Sequence, residues 1–160
     1  MTRQAVLLSA VVMLLGLRST AAAQGRITLT ATGGPVTFPA PTAADYDAGF
    51  VLAAAPLAFT VDASGGPATQ RTATVSVQAT TPFLGGTKPV ADLQWRRADL
   101  GTWNPLTVGS TGIESHPMVR NGLNDPWSNS VYFRMNLGWA SDGPGTYTTG
   151  VVLTLTVTTP

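Results

Sequence analysis

The sequence predicts an all-β protein, a single antiparallel β-sandwich of about seven to nine strands. Three observations carry this expectation. First, Val131, Phe133, Met135, Leu137 and Trp139 alternate with Tyr132, Arg134, Asn136 and Gly138, and Tyr147, Thr149, Val151, Leu153, Leu155 and Val157 alternate with smaller or polar residues. A period of two places all large apolar groups of a strand on one face. Second, clusters such as Ser141-Asp142-Gly143-Pro144-Gly145 recur at strand-length intervals and suit tight turns. Third, no stretch of ten residues after the first 23 shows helical periodicity.

Residues 1–23 read as an export signal rather than as part of the fold. Arg3 supplies a positive start, residues 5–17 form an apolar run, and Ser19-Thr20-Ala21-Ala22-Ala23 offers small residues for cleavage before Gln24. The run is too short to span a bilayer, which takes about 20 apolar residues, and Arg18 ends it. No membrane span is expected in the mature chain, and a secreted location (periplasmic, extracellular or cell-surface) follows. Residues 24–160 are expected to form the one domain.

Beyond the leader, seven basic residues face eight acidic ones, and Arg96-Arg97 is the one basic pair. A stripe able to neutralise phosphates is missing, so nucleic acid is not an expected partner. Cysteine is absent. Stability must then come from burial and hydrogen bonds, although an exported compartment permits disulfides.

The expected strands follow in order. Ile27, Leu29 and Ala31 alternate with Thr28 and Thr30, and Gly33-Gly34-Pro35 ends that run. Val36-Thr37-Phe38 is a short strand, and the Ala/Asp stretch after Pro41 reads as an ordered loop. Phe50-Val51-Leu52 resumes extended structure. Leu57, Phe59, Val61 and Ala63 then form one inward row, and Ala73, Val75, Val77 and Ala79 form the next. Leu93 and Trp95 share a face, and the chain returns through Trp103-Asn104-Pro105-Leu106. Residues 111–119 are the least regular stretch, a strand interrupted by Pro117. Residues 121–129 read as a loop around Trp127.

Catalysis lacks parts. His116 is the one histidine, and Ser115 beside it points to the opposite face of an extended chain, so the two cannot act as nucleophile and base. No G-x-S-x-G or H-E-x-x-H motif is present. One histidine without cysteine makes a poor zinc site. Asp45, Asp47 and Asp142 offer hard oxygen ligands of the kind calcium takes. Their turn-like settings point instead to side-chain-to-backbone bonds. No enzyme, metal or cofactor is expected.

Four tryptophans remain. Trp95 and Trp139 fall on inward rows and read as core. Trp103 and Trp127 sit among Asn and Pro in turn-like surroundings, where they cap the sandwich or recognise a ligand. They are the candidate binding residues, because exposed indoles stack on sugar rings or bury at protein interfaces.

The ending Gly145-Thr146-Tyr147-Thr148-Thr149-Gly150-Val151-Val152-Leu153-Thr154-Leu155-Thr156-Val157 resembles the closing strand of exported bacterial Ig-like domains. It is similar to the G-T-Y plus Val/Thr ending of spore-coat-U-like and fimbrial-type secreted proteins. The resemblance implies an Ig-like topology and a structural or adhesive role at the cell surface. This chain lacks the cysteine pair and near-terminal aromatic usual in chaperone–usher pilus subunits, which argues against that assembly route. A closed barrel is the alternative fold. A carbohydrate-binding module using Trp103 and Trp127 is the alternative function. The expected partner is a protein or glycan at the cell surface, and the mature chain is expected to be a monomer in dilute solution, with self-assembly as the alternative.

Overall fold

A computed structural model describes residues 26–32, 35–64, 70–84, 88–120 and 126–159. The expected leader and parts of four expected turns or loops (33–34, 65–67, 85–87 and 121–125) lie outside the described residues. Along the chain come β1 (Arg26–Thr32), β2 (Val36–Phe38), helix α1 (Ala43–Ala48), β3 (Phe50–Leu52), β4 (Leu57–Ser64) and β5 (Gln70–Ala79). A 3-10 turn (Val90–Asp92) leads into β6 (Leu93–Arg97) and β7 (Asn104–Pro105). Then follow β8 (Thr111–Arg120), β9 (Trp127–Asn136), β10 (Tyr147–Thr149) and β11 (Val151–Thr158). The protein is all-β and its sheets are antiparallel, as the alternation predicts.

The centre of the larger sheet is β9. Its first half pairs with β4, its second half with β3, and its other edge with β6. The sheet runs β1-β4-β9-β6-β7 with β3 beside β9. A second sheet runs β11-β5-β8, and β10 pairs with β2 in a small third sheet. Phe38, Val51, Phe59, Val75, Val77, Leu93, Trp95, Phe133 and Met135 belong to one buried cluster drawn from all three sheets. The two main sheets therefore share a core, and the architecture is a sandwich. Among the described residues, their edge strands β1 and β11 approach one another without pairing, so these sheets stay separate rather than closing into a barrel.

The strands outnumber the expected seven to nine because short pieces count separately. The closing strand breaks at Gly150, where an added Cβ would collide with the Thr80 hydroxyl, and the Gly150 carbonyl accepts from the Thr80 amide at 3.0 Å. Before the break the chain pairs with β2, and after it with β5. The irregular stretch at Pro117 is one strand at a sheet edge, and a register shift opposite residues 71–73 takes up the proline. Edges and bulges are where a sheet tolerates a residue without an amide donor.

Three expectations are corrected. Residues 127–129, read as the end of a loop around Trp127, open β9 instead, because they pair with Phe59, Thr60 and Val61 of β4. The Ala/Asp stretch is not a loop throughout but holds α1, opened by a capping box. Thr42 Oγ1 accepts from the Asp45 amide at 3.3 Å and Asp45 Oδ2 accepts from the Thr42 amide at 2.8 Å. Gly49 closes the helix at φ 76°, a left-handed conformation that glycine adopts without strain. Trp139 is not core: 63% of it is exposed. The inward row ends with Leu137, since β9 stops at Asn136 and a turn follows, with Ser141 and Asp142 amides donating to the Gly138 carbonyl.

Candidate functional site

The outward face of the large sheet brings two arginines together with Trp103, Tyr132, Phe50 and Gln94. On β9, Val131, Phe133 and Met135 point inward, so Tyr132 and Arg134 point outward. On β6, Leu93 and Trp95 are buried, so Gln94 and Arg96 point outward. Register places Arg96 opposite Tyr132, Gln94 opposite Arg134, and Leu52 of β3 on the other side of Arg134. Trp103, from the connection between β6 and β7, lies over this face.

The Arg96 guanidinium carbon is 4.6 Å from a Trp103 ring centroid, and that of Arg134 is 4.7 Å away. Arg96 also stands 5.8 Å from Tyr132, and Arg134 stands 5.3 Å from Phe50. All four distances lie within the reach of cation–π attraction. Arg134 Nε donates to Gln94 Oε1 at 2.7 Å, which fixes its plane. Among the described residues neither arginine meets a carboxylate, and Arg96 Nε is buried without a hydrogen-bond partner. Beside the stack opens a pocket of about 250 Å³, lined by residues 52–56 with Arg96, Trp103, Tyr132 and Phe133. Leu52 is 54% exposed and Tyr132 is 41% exposed on its rim.

Trp103 and Trp127, the two tryptophans singled out from the sequence, are not brought together. Both are half-buried. Trp127 shares the inward parity of Val131, packs against the core, and stacks on His116 at 4.1 Å between centroids. Trp103 lies on the opposite face of the sheet. The neighbours of Trp103 escaped the sequence reading, although Tyr132 and Arg134 were already visible as the outward partners of an inward row. Which loop would cover that row is what the sequence leaves open.

His116 and Ser115 diverge as their adjacency requires. Ser115 Oγ bonds Thr74 Oγ1 at 2.9 Å, while His116 Nε2 meets Glu114 Oε1 at 2.7 Å. The second Glu114 oxygen accepts from Asn129 at 3.0 Å and faces Arg97 at 3.9 Å. This inward polar group joins β8 to β6 and β9 across the sandwich.

The aspartates serve separate partners. Asp45 caps α1, and Asp47 Oδ1 accepts from the Trp139 indole at 3.1 Å. Asp142 is held by Lys88 at 2.7 Å, by the Gly138 amide at 2.8 Å and by Ser141 Oγ at 3.0 Å. Burial opposes its charge, but these donors outweigh burial and hold its carboxyl below the ordinary value. Lys88 is almost fully buried. Burial works against its charge too, yet Asp142 and Asp92 raise its pKa above the usual lysine range. Among the described residues, no three His, Cys, Asp or Glu side chains converge as metal ligands, and no helix is long and apolar enough to cross a membrane.

Fold and site together define an antiparallel β-sandwich bearing an arginine–aromatic face beside an apolar pocket. Comparison with family models, curated proteins and solved structures gave no match.

Proposed function

We propose that the chain is an exported, non-enzymatic structural or adhesive module of the cell surface, Ig-like in topology, that binds through the outward face of its large sheet. The observation that carries this reading is the pair Arg96 and Arg134, stacked on Trp103 without a carboxylate partner among the described residues, beside the exposed Tyr132 and Leu52. Tryptophan, tyrosine and arginine are the side chains that dominate binding energy at protein interfaces. The resemblance of residues 145–157 to the closing strand of exported surface proteins supports the same role. Beads coated with residues 24–160 should be retained on envelope material from the producing cells. The double variant Trp103→Ala/Tyr132→Ala should lose most of that retention while keeping its melting temperature. Equal retention of both proteins and of uncoated beads would reject the reading.

Carbohydrate recognition is the second reading, supported by Trp139 rather than by the expected Trp103 and Trp127. That exposed indole stacks on the buried Tyr46 at 4.7 Å between centroids and is anchored by Asp47. The result is a fixed, flat aromatic surface open to solvent. Glycan-array binding that disappears in Trp139→Ala and survives Trp103→Ala would favour it.

A further inference from the structure

Resting on the recognition role proposed above, we infer the chemistry of the partner: the face docks a protein segment in which an apolar side chain is flanked by Asp or Glu. The apolar side chain fills the pocket over residues 52–56 beside Trp103 and Tyr132, and the flanking carboxylates pair with Arg96 and Arg134.

Charge argues for the acidic half of this motif. Arg97, on the inward side of β6, is paired with Asp99 and Glu114. Lys88 is paired with Asp92 and Asp142. Arg96 and Arg134 instead present guanidinium groups to aromatic rings and to Gln94, with no carboxylate among the described residues. Stacking holds both groups in place, and the Gln94 bond further fixes Arg134, so little side-chain freedom is left to lose when a carboxylate arrives. A guanidinium so held still offers its outer N–H groups in the planar fork that a carboxylate matches.

The pocket argues for the apolar half, and for protein over sugar. Its volume of about 250 Å³ suits one large side chain, and Arg96 is the one charged residue in its lining. Leu52, Ala53, Ala54, Ala55 and Pro56 supply apolar surface where a pyranose ring would need a polar partner for each buried hydroxyl. A smaller pocket of about 130 Å³ lies on the other flank of Ala54, Ala55 and Pro56, reaching Pro35 and Thr37. The same ridge thus borders two concavities, which gives an extended segment a second foothold.

The test uses immobilised hexapeptides with a central Leu or Phe flanked by two Asp, two Asn or two Lys, together with polygalacturonate as an acidic sugar polymer. Residues 24–160 should bind the Asp-flanked peptides about tenfold or more tightly than the Asn-flanked ones, and should ignore the Lys-flanked ones. Added salt should weaken the contact. Arg134→Gln and Arg96→Gln should each remove most of the Asp preference. The corresponding Lys variants should keep part of it, because charge survives while the planar fork is lost. Unchanged melting temperatures would show that the Gln variants remain folded. Binding to polygalacturonate without Asp-flanked peptide binding would overturn the protein assignment. A folded chain that shows no preference among the peptides would overturn the motif. If envelope retention then persists in Arg96→Gln/Arg134→Gln, the adhesive role stands and only this partner chemistry falls.

Discussion

Trp139 shows how one residue's fate turns on where its strand stops. Its spacing continues the row Val131, Phe133, Met135 and Leu137, all four of which are buried. Two residues past the end of β9, the turn at Gly138 swings the indole outward onto Tyr46, whose hydroxyl donates to the Asp142 carbonyl at 3.1 Å. Trp95, with the same parity on β6, is 4% exposed. Acrylamide quenching of Trp→Phe variants separates the four indoles. Trp139→Phe should remove the largest quenchable share, and Trp95→Phe should leave that share intact. If Trp139→Phe left quenching unchanged, the turn would not be placed as described.

At the scale of elements, β11 is the edge of its sheet and follows a strict alternation. Val151, Leu153, Leu155 and Val157 are half-buried and pack against the core, while Val152, Thr154, Thr156 and Thr158 are exposed. Half-burial is what an edge strand paired on one side gives. An inward charge there is costly without being prohibitive. Leu153→Asp should lower stability by about 2–4 kcal/mol through lost apolar contact and carboxylate desolvation. Thr154→Asp should stay within about 1 kcal/mol of the parent, since its side chain faces water. Chemical denaturation of the two variants measures the difference. Equal midpoints would overturn the register Leu153 to Val77 and Thr154 to Ser76.

Across the whole molecule, Lys88 and Asp142 join segments far apart in the chain. Lys88 precedes the 3-10 turn and also holds Asp92 at 3.1 Å, and Asp142 fixes the turn after β9. The Asp142 carboxyl titrates below its ordinary value in the folded protein. Its contribution to stability is therefore present above the unfolded carboxylate pKa and is lost as pH falls through the lower folded value. The raised Lys88 pKa acts at the other end. Its contribution is complete below the ordinary lysine value and is lost as pH rises through the higher folded one. Asp142→Asn should reduce melting temperature at neutral pH and should flatten its fall in acid. An acid limb as steep as the parent's would assign that limb to other carboxylates. Removing one partner of a buried pair leaves the other charge uncompensated, so a loss of about 3–5 kcal/mol at neutral pH is expected.

The all-β class and the inward rows of β4, β5, β6, β9 and β11 were legible because a pleated strand has a fixed period of two, and one buried face writes that period into the residues. Within those rows, what lay beyond local pattern was where each row ends. The sequence shows Trp139 in step with Leu137, but the end of pairing at Asn136 depends on β3 and β6 as partners. The capping box of α1 was local and readable as Thr42 followed by Asp45. Its six residues were too short for periodicity to reveal. The candidate site was only half legible. Outward placement of Arg96, Tyr132 and Arg134 follows from alternation, whereas Trp103 comes to them from a connection whose path no period governs. Lys88 and Asp142 likewise meet across 54 positions. Alternation is a property of one strand, so the sequence determined which face each side chain takes. Which faces and loops meet is a property of packing between distant segments, and only the tertiary structure decided it.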